Sequence, residues 1–223
     1  MTALDRVVFD LNGTLFDPAG LSAELPAPLD DERTGLALLD ETVQQAMWDT
    51  MLGRYRPFGD YLRAAADRRL RLGGGPDPGA VERVVAAAGQ LPAFAEVPEA
   101  LRELASAGLE IAAITNSGTE VAESSLRAAG ILDRFTGVVG SDVTRAYKPA
   151  PAVYRTGLDR LGADPARTCM VAAHGWDLHG AKAAGMRTAW VGRKERVLLE
   201  SLSEPDFRGD DVLDACRAIT SAL

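Results

Sequence analysis

The chain has 223 residues, of which 47% are hydrophobic and 25% are charged. This composition fits one packed α/β domain with a modest insertion and argues against a disordered or membrane-embedded protein. The formal net charge of −8 disfavours a nucleic-acid surface, which requires clustered lysine and arginine. Since the N-terminal segment has no secretory pattern, we expect a cytoplasmic protein that binds a small molecule and neither nucleic acid nor a membrane.

The first predicted element is a buried strand, indicated by the short apolar run Val7 to Phe9. Asp10 follows it directly, and Asn12-Gly13-Thr14 predicts a turn. Apolar residues then recur at helical spacing from about Pro18 to about Pro92, with one break between Gly73 and Gly79. We interpret this stretch as a helical cap inserted after the first strand. The predicted domains are residues 17–92 for the cap and residues 1–16 and 93–223 for the core.

Beyond residue 92 the pattern alternates between helices and strands. This alternation predicts βαβ units and therefore an α/β fold with a parallel, doubly wound sheet and a Rossmann-like core. Ligands bind at the carboxyl ends of the strands in such sheets. The predicted helices are 96–107, 120–129, 150–161 and 177–184, and the predicted strands end at Thr115, Gly140, Ala173 and Val191.

Polar clusters follow three of the predicted strands, and Lys148 lies just before a predicted helix. Because the carboxyl ends of parallel strands meet at one edge of the sheet, we expect these groups to share a crevice. A carboxylate at a strand end, oriented by the turn after it, can attack an electrophile and form an ester or an acyl phosphate. The clusters are Asp10 to Thr14, Thr115 to Ser117, and His174 to Asp177.

The segment Asp10-Leu-Asn-Gly-Thr-Leu15 is similar to the Asp-x-x-Gly-Thr-Leu motif that opens the haloacid dehalogenase superfamily. Three further segments resemble the later motifs in the same order, and the resemblance covers nearly the whole chain. It implies a hydrolase that forms a covalent intermediate on Asp10, with Thr14 and Lys148 positioning that nucleophile. The three segments are Thr115-Asn116, Tyr147-Lys148-Pro149-Ala-Pro151 and Val171-Ala-Ala-His-Gly-Trp176-Asp177.

Phosphatases of this superfamily carry a second Asp two residues after the nucleophile and a metal-binding Asp three residues into the fourth motif. Asn12 and Ala173 stand at these positions. Asn cannot act as a general acid, and Ala cannot bind Mg²⁺, which prefers oxygen ligands. The resemblance is therefore closer to the 2-haloacid dehalogenase branch, whose fourth motif also ends in Trp-Asp, as in Trp176-Asp177. That branch implies no metal and no other cofactor.

In the 2-haloacid dehalogenase branch, the nucleophile displaces halide from a carbon and water then hydrolyses the ester. The resemblance implies that Asp10 attacks the carbon and that Asp177 helps to activate the water. His174 is a further catalytic candidate, because an imidazole at a strand end can activate water or donate to a leaving group near neutral pH. The candidate contacts of a small anionic substrate are Leu11, Asn12, Thr115, Asn116, Trp176 and Tyr154, with Asn116 holding its carboxylate.

Several positions depart from that branch, which usually carries Tyr at Asn12, Ser at Ala172 and Asn at His174. The branch also has a cap Arg that receives the halide. Counting back from Met51-Leu-Gly-Arg-Tyr55 without gaps places Leu39 at this position. The cap residues that could replace the missing Arg are Arg33, Arg54 and Arg56.

Two other functions stay open from the residues alone. One is a Mg²⁺-dependent phosphatase acting on a small phosphoester, against which Asn12 and Ala173 argue. The other is a member that has lost catalysis and serves binding, against which the retained Asp10, Lys148 and Asp177 argue. The resemblance also raises a homodimer as an expectation.

Overall fold

Six short strands form one parallel sheet in the computed structural model, which describes residues 3–223. The strands are β1 (Arg6–Phe9), β2 (Glu110–Ile114), β3 (Gly137–Val139), β4 (Thr168–Ala172), β5 (Arg187–Val191) and β6 (Phe207–Gly209). Their order is β3-β2-β1-β4-β5-β6, so the direction in which the sheet grows reverses at β1. This order confirms the predicted doubly wound α/β fold and makes the end of β1 the switch point, where such sheets bind ligands.

Helices cover both faces of the sheet because successive strand side chains point in opposite directions and all of them need partners. On β1, Val7 and Phe9 pack on one face, whereas Val8 packs on the other. The helices on the first face are α4 (Val97–Ser106), α5 (Thr119–Ala128) and α9 (Val212–Thr220), and those on the second face are α7 (Pro151–Leu161) and α8 (Gly175–Ala183). The short helix α6 (Ser141–Thr144) follows β3.

The segment between β1 and β2 is helical, as its apolar spacing predicts. A 3₁₀ helix, Pro18–Glu24, precedes α1 (Glu32–Met51), α2 (Phe58–Gly73) and α3 (Pro78–Ala87). The chain enters and leaves this segment side by side, because Asp17 N–H donates to the Pro92 carbonyl (2.9 Å) and Phe94 N–H donates to the Leu15 carbonyl (3.0 Å).

This pairing of the two crossings motivates the division of the chain. We propose that residues 17–92 form a cap domain and that residues 3–16 and 93–223 form the core domain. Residues 1 and 2, which belong to the predicted core, lie outside the described residues. No helix in the described part of the chain is long and apolar enough to cross a membrane.

The sequence patterns missed the last two elements, β6 and α9. β6 is only three residues long, and Phe207 is its single apolar side chain, so it carries no strand signal of its own. α9 does carry a signal, since its buried residues Val212, Cys216 and Ile219 recur at helical spacing. α8 begins at Gly175 rather than at the predicted Asp177, which puts Asp177 inside the first turn of the helix.

Candidate active site

Asp10 lies at the carboxyl end of β1, in the middle of the sheet edge. Its backbone N–H donates to the carbonyl of Val171 in β4 (3.0 Å). The chain then turns sharply at Gly13, which has φ +86° and where an added Cβ would lie 2.7 Å from Cε1 of His174. Glycine is therefore required at this position both by the positive φ and by the packed His174 ring.

The hydroxyl of Thr14 connects Asp10 to the neighbouring chain segment. It donates to Oδ2 of Asp10 (2.9 Å) and accepts the backbone N–H of Ala173 (2.9 Å). Thr14 is fully buried, so its hydroxyl makes both hydrogen bonds in only one orientation. The Asp10 carboxylate is held in place as a consequence.

Lys148 lies between two carboxylates and is fully buried. Its Nζ donates to Oδ1 of Asp10 (3.1 Å) and to Oδ2 of Asp177 (2.7 Å). The backbone N–H of Lys148 donates to Oδ1 of Asn116 (3.0 Å), which ties the lysine loop to the end of β2. The segments that contain Asp10, Lys148 and Asp177 thus meet at one ammonium group.

Asp177 is buried behind Lys148, and both of its carboxylate oxygens are engaged. Oδ2 accepts from Lys148, and Oδ1 accepts from the hydroxyl of Tyr154 (2.7 Å). The same hydroxyl lies 2.9 Å from the backbone carbonyl of Asp177. Tyr154 therefore fixes the orientation of Asp177 from the side away from Asp10.

Opposing effects set the charges in this cluster. Burial acts to raise the pKa of Asp10, but the charge of Lys148, the nearby ring of His174 and the hydrogen bond from Thr14 outweigh it and hold the pKa well below its ordinary value. For Asp177, burial is the largest effect, and together with the charge of Asp10 it raises the pKa despite Lys148. Burial acts to lower the pKa of Lys148, but the two carboxylates raise it. We infer an ionised Asp10 beside a protonated Lys148.

His174 also lies beside the carboxylate of Asp10. Its side chain is buried, and Nδ1 lies 3.5 Å from Oδ2 of Asp10. Among the residues that the structure describes, Nδ1 has no partner in hydrogen-bonding geometry. The ring lies against Trp176, with 5.2 Å between the ring centroids.

A small cavity of only about 10 Å³ lies between this cluster and the cap. Its cap side is apolar and comes from α1 and the start of α2. Larger surface grooves elsewhere, such as the one around Gly20 and Arg83, contain none of the predicted site residues. The cavity is lined by Asp10, Asn12, Leu39, Val43, Phe58, Thr115, Asn116, His174 and Trp176.

Two predicted substrate contacts lie elsewhere. The side chain of Leu11 packs in the apolar core beside the sheet, so only its backbone can face a substrate. Tyr154 does not line the cavity, because its hydroxyl is directed to Asp177. Both predictions need correction for the same reason. A sequence motif predicts which residues lie near each other in the chain and in the sheet, but it does not predict the direction of a side chain.

The three candidate cap arginines do not lie where they could replace the halide-binding Arg of the 2-haloacid dehalogenase branch. Arg33, Arg54 and Arg56 are exposed and none lines the cavity; Arg56 pairs with Asp49 instead (3.3 Å). Leu39, which takes the place of the family's Arg in the ungapped count, does line it. Sequence reasoning missed Val43, which lies one helical turn after Leu39 on the same face of α1 and could have been found from that spacing.

Sequence reasoning also missed Lys194, which lies outside the four motifs. Its Nζ is 3.4 Å from Nε2 of His174. No pattern in the sequence around Lys194 signals this contact, which depends on the path of the chain after β5.

A model of the haloacid dehalogenase-like hydrolase family matches residues 4–185. The chain belongs to this family. The (S)-2-haloacid dehalogenase of Pseudomonas sp. (strain YL) is 28% identical, with 93% of this chain and 90% of that protein covered. The probable phosphatase IndB of Dickeya dadantii is 33% identical, with 83% and 80% covered.

Among solved structures, the L-2-haloacid dehalogenase of Xanthobacter autotrophicus superposes on this haloacid dehalogenase-like hydrolase with a TM-score of 0.89. It is 26% identical, and 99% of this chain and 100% of that chain are covered. These matches confirm the predicted superfamily, the hydrolase class and the likeness to 2-haloacid dehalogenases.

Metal-ligating side chains do not cluster in the described part of this hydrolase. In residues 3–223, no group of three or more His, Cys, Asp and Glu side chains is arranged to hold a metal ion. Ala173, at the position of the phosphatase ligand, is fully buried and has no donor atom in its side chain. The nearest positive charge to Asp10 is the ammonium of Lys148.

Proposed function

We propose that this hydrolase is a metal-independent dehalogenase that acts on a small 2-haloacid through an ester formed on Asp10. The observation that carries the proposal is the environment of Asp177, whose two carboxylate oxygens accept from Lys148 (2.7 Å) and from Tyr154 (2.7 Å) and so are not free to bind a metal ion. Asp10 accepts from the same ammonium group (3.1 Å). A carboxylate with this partner can approach a neutral carbon without a metal.

In the first step, the ionised carboxylate of Asp10 attacks the carbon that bears the halogen. A carbon–oxygen bond forms while the carbon–halogen bond breaks, and the halide leaves with the bonding electron pair. The lowered pKa of Asp10 keeps the nucleophile ionised at neutral pH, and Thr14 and Lys148 hold its orientation.

In the second step, water attacks the carboxyl carbon of the Asp10 ester, which restores the carboxylate and releases a 2-hydroxy acid. A base must accept the proton of this water. Asp177 is the candidate, because burial acts to raise its pKa and Tyr154 fixes its orientation. In this assignment the base and the nucleophile Asp10 accept hydrogen bonds from the same Lys148 ammonium group.

The carboxylate of the substrate requires hydrogen-bond donors at the cavity. Within residues 3–223, the backbone N–H groups of Leu11, Asn12 and Asn116 donate to no other group. The side chain of Asn116 accepts from Lys148 N–H through Oδ1, which leaves its amide N–H₂ as a further donor. These groups suit one small anion, as the sequence predicts for Asn116.

The phosphatase alternative is favoured by the relative named a probable phosphatase. Two residues argue against it. Asn12 cannot protonate a leaving alkoxide, and Ala173 cannot bind Mg²⁺. The alternative of a binding protein without catalysis has no such observation.

A substrate panel tests the proposal. Purified protein is incubated with short 2-haloacids and with small phosphoesters, each with excess EDTA and with added Mg²⁺, and halide and phosphate release are measured. We expect halide release that survives EDTA and negligible phosphate release in both conditions, with Asp10→Asn as the inactive control. Mg²⁺-dependent phosphate release without halide release from any haloacid would overturn the proposal.

A further inference from the structure

The turn after β5 is anchored on three sides by three consecutive residues. The guanidinium of Arg193 pairs with Glu96 and lies 3.7 Å from the ring centroid of Phe94. The carboxylate of Glu195 accepts the backbone N–H of Gly175, at the start of α8, at 3.0 and 3.1 Å. Lys194 lies between these two anchors, so its backbone position is fixed from both sides.

The side chain of Lys194 joins the cap to the active site. Its Nζ forms an ion pair with Asp40 on α1 and lies 3.4 Å from Nε2 of His174. Asp40 directly follows Leu39, which lines the cavity. The lysine side chain is only 20% exposed, whereas that of Asp40 is 58% exposed, so the arrangement is shielded from water at its His174 end and open to it at the cap end.

The neighbours of the His174 ring select one of its protonation states. An ammonium group has only donors, so an Nε2–H facing Lys194 would set two donors against each other. An imidazolium would add the repulsion of two positive charges. On the other side of the ring, the ionised carboxylate of Asp10 has only acceptors and lies 3.5 Å from Nδ1. The tautomer that suits both neighbours is neutral, with the proton on Nδ1.

We propose that Lys194 is a positioning residue that holds His174 as the Nδ1–H tautomer. Nδ1 then cannot accept a proton from water, and its N–H remains available to an anion in the cavity, since it has no well-oriented partner in the described part of the chain. His174 is thus a donor, and the water-activating role stays with Asp177. The use of this donor in turnover rests on the proposed function, whereas the tautomer itself does not.

The chain contains only two histidines, which makes the tautomer directly measurable. Untagged full-length protein with nitrogen-15-labelled histidine gives two rings in a long-range proton–nitrogen NMR spectrum. His179 is an internal reference, because its Nδ1 accepts the backbone N–H of Ser203 (3.0 Å) and its proton must therefore lie on Nε2. A His179→Gln variant assigns the signals.

At about pH 8, where a free imidazole is neutral, we expect the two rings to show opposite tautomers, with Nδ1–H on His174. Lys194→Met should move His174 toward Nε2–H, and Lys194→Arg should retain the wild-type pattern. Lys182→Met is the matched control, since it removes another lysine–carboxylate pair, with Asp206 (2.7 Å), away from the cavity, and should change neither ring.

Two results would overturn the proposal. One is an Nε2–H or cationic His174 in the wild-type protein, and the other is an unchanged Nδ1–H tautomer in folded Lys194→Met. These spectra are recorded without substrate. The spectra would therefore remain interpretable if the protein proved not to be a dehalogenase. Conversely, a wrong tautomer assignment would not change the result of the halide-release assay.

Discussion

The two sides of the cavity differ in chemistry. On the core side, the charged and polar groups are bonded to one another: Asp10 accepts from Thr14 and Lys148, and Asp177 accepts from Lys148 and Tyr154. On the cap side, the lining consists of the apolar side chains of Leu39, Val43 and Phe58. We propose from this difference that the core side holds the reacting groups and that the cap side selects the substrate by shape.

The two sides should also respond differently to substitution. Removing one member of the core cluster leaves another buried charge or polar group without its partner. In a low-dielectric interior this lowers the free energy of unfolding substantially. Removing one methylene from the cap side leaves only a small gap. Substitutions on the two sides therefore test whether this division of roles holds.

The largest effect is expected for Asp10→Asn on the core side. The amide keeps the shape of the carboxylate but is not a nucleophile, so turnover should fall by about 10³-fold or more. Circular dichroism should show an intact fold. Halide release within a few-fold of wild type would mean that Asp10 is not the nucleophile.

Lys148→Met should weaken the fold itself. It leaves Asp10 and Asp177 buried without their counter-ion, and breaking a buried pair costs about 3–5 kcal/mol. Denaturant unfolding measures this loss of unfolding free energy. The control Lys182→Met removes a partly exposed pair and should cost at most about 1 kcal/mol. Equal losses in the two variants would contradict the role given to the buried cluster.

The double variant Lys148→Met with Asp177→Asn tests whether the stability loss in Lys148→Met comes from an unpaired buried charge or from a general failure to fold. The double variant carries one fewer buried carboxylate, so it should recover part of the lost stability. A double variant that is less stable than Lys148→Met would show that the unpaired charge is not the cause.

Because the pKa of Asp10 is lowered, the contribution of the core side to folding stability should depend on pH. A carboxyl group with a lowered pKa in the folded state contributes stability above its unfolded pKa of about 3.9. That contribution is lost as the pH falls toward the folded value. The unfolding free energy of wild type relative to Asp10→Asn should therefore be constant above about pH 5 and decline below about pH 4. A difference that stays constant on acidification would contradict the ion pair.

The smallest effect is expected on the cap side. Leu39→Val removes one methylene from the cavity wall, worth about 1 kcal/mol or about fivefold in KM for a small haloacid, with kcat little changed. Leu38→Val is the matched control, because Leu38 is buried but does not line the cavity. Similar changes of KM in both variants would indicate a general loosening of α1.

Sequence reasoning predicted the core side well for a physical reason. Asp10, Thr14, Asn116, Lys148 and Asp177 follow strand ends or precede a helix, and a parallel sheet brings its carboxyl ends to one edge. The sheet therefore converts spacing along the chain into proximity in space. The same argument predicted the doubly wound fold from the alternation of helices and strands.

The remaining features depend on directions and paths that spacing does not encode. Tyr154 lies on a helix next to the site, but its hydroxyl is directed to Asp177. Lys194 reaches His174 from a turn whose course is set by Glu96 and Gly175. Neither contact follows from the periodicity of the local sequence, because each depends on how distant segments pack.

The most direct test of the central claim is the fate of oxygen in a single turnover. Enzyme in excess over a short 2-haloacid reacts in oxygen-18 water, and the peptide that contains Asp10 is analysed by mass spectrometry. If water cleaves an ester at the carboxyl carbon of Asp10, the Asp10 carboxylate should gain one heavy oxygen, and the first hydroxy acid released should carry none. An unlabelled Asp10 with the label in the hydroxy acid would mean that water attacks the substrate directly, which would contradict the covalent intermediate.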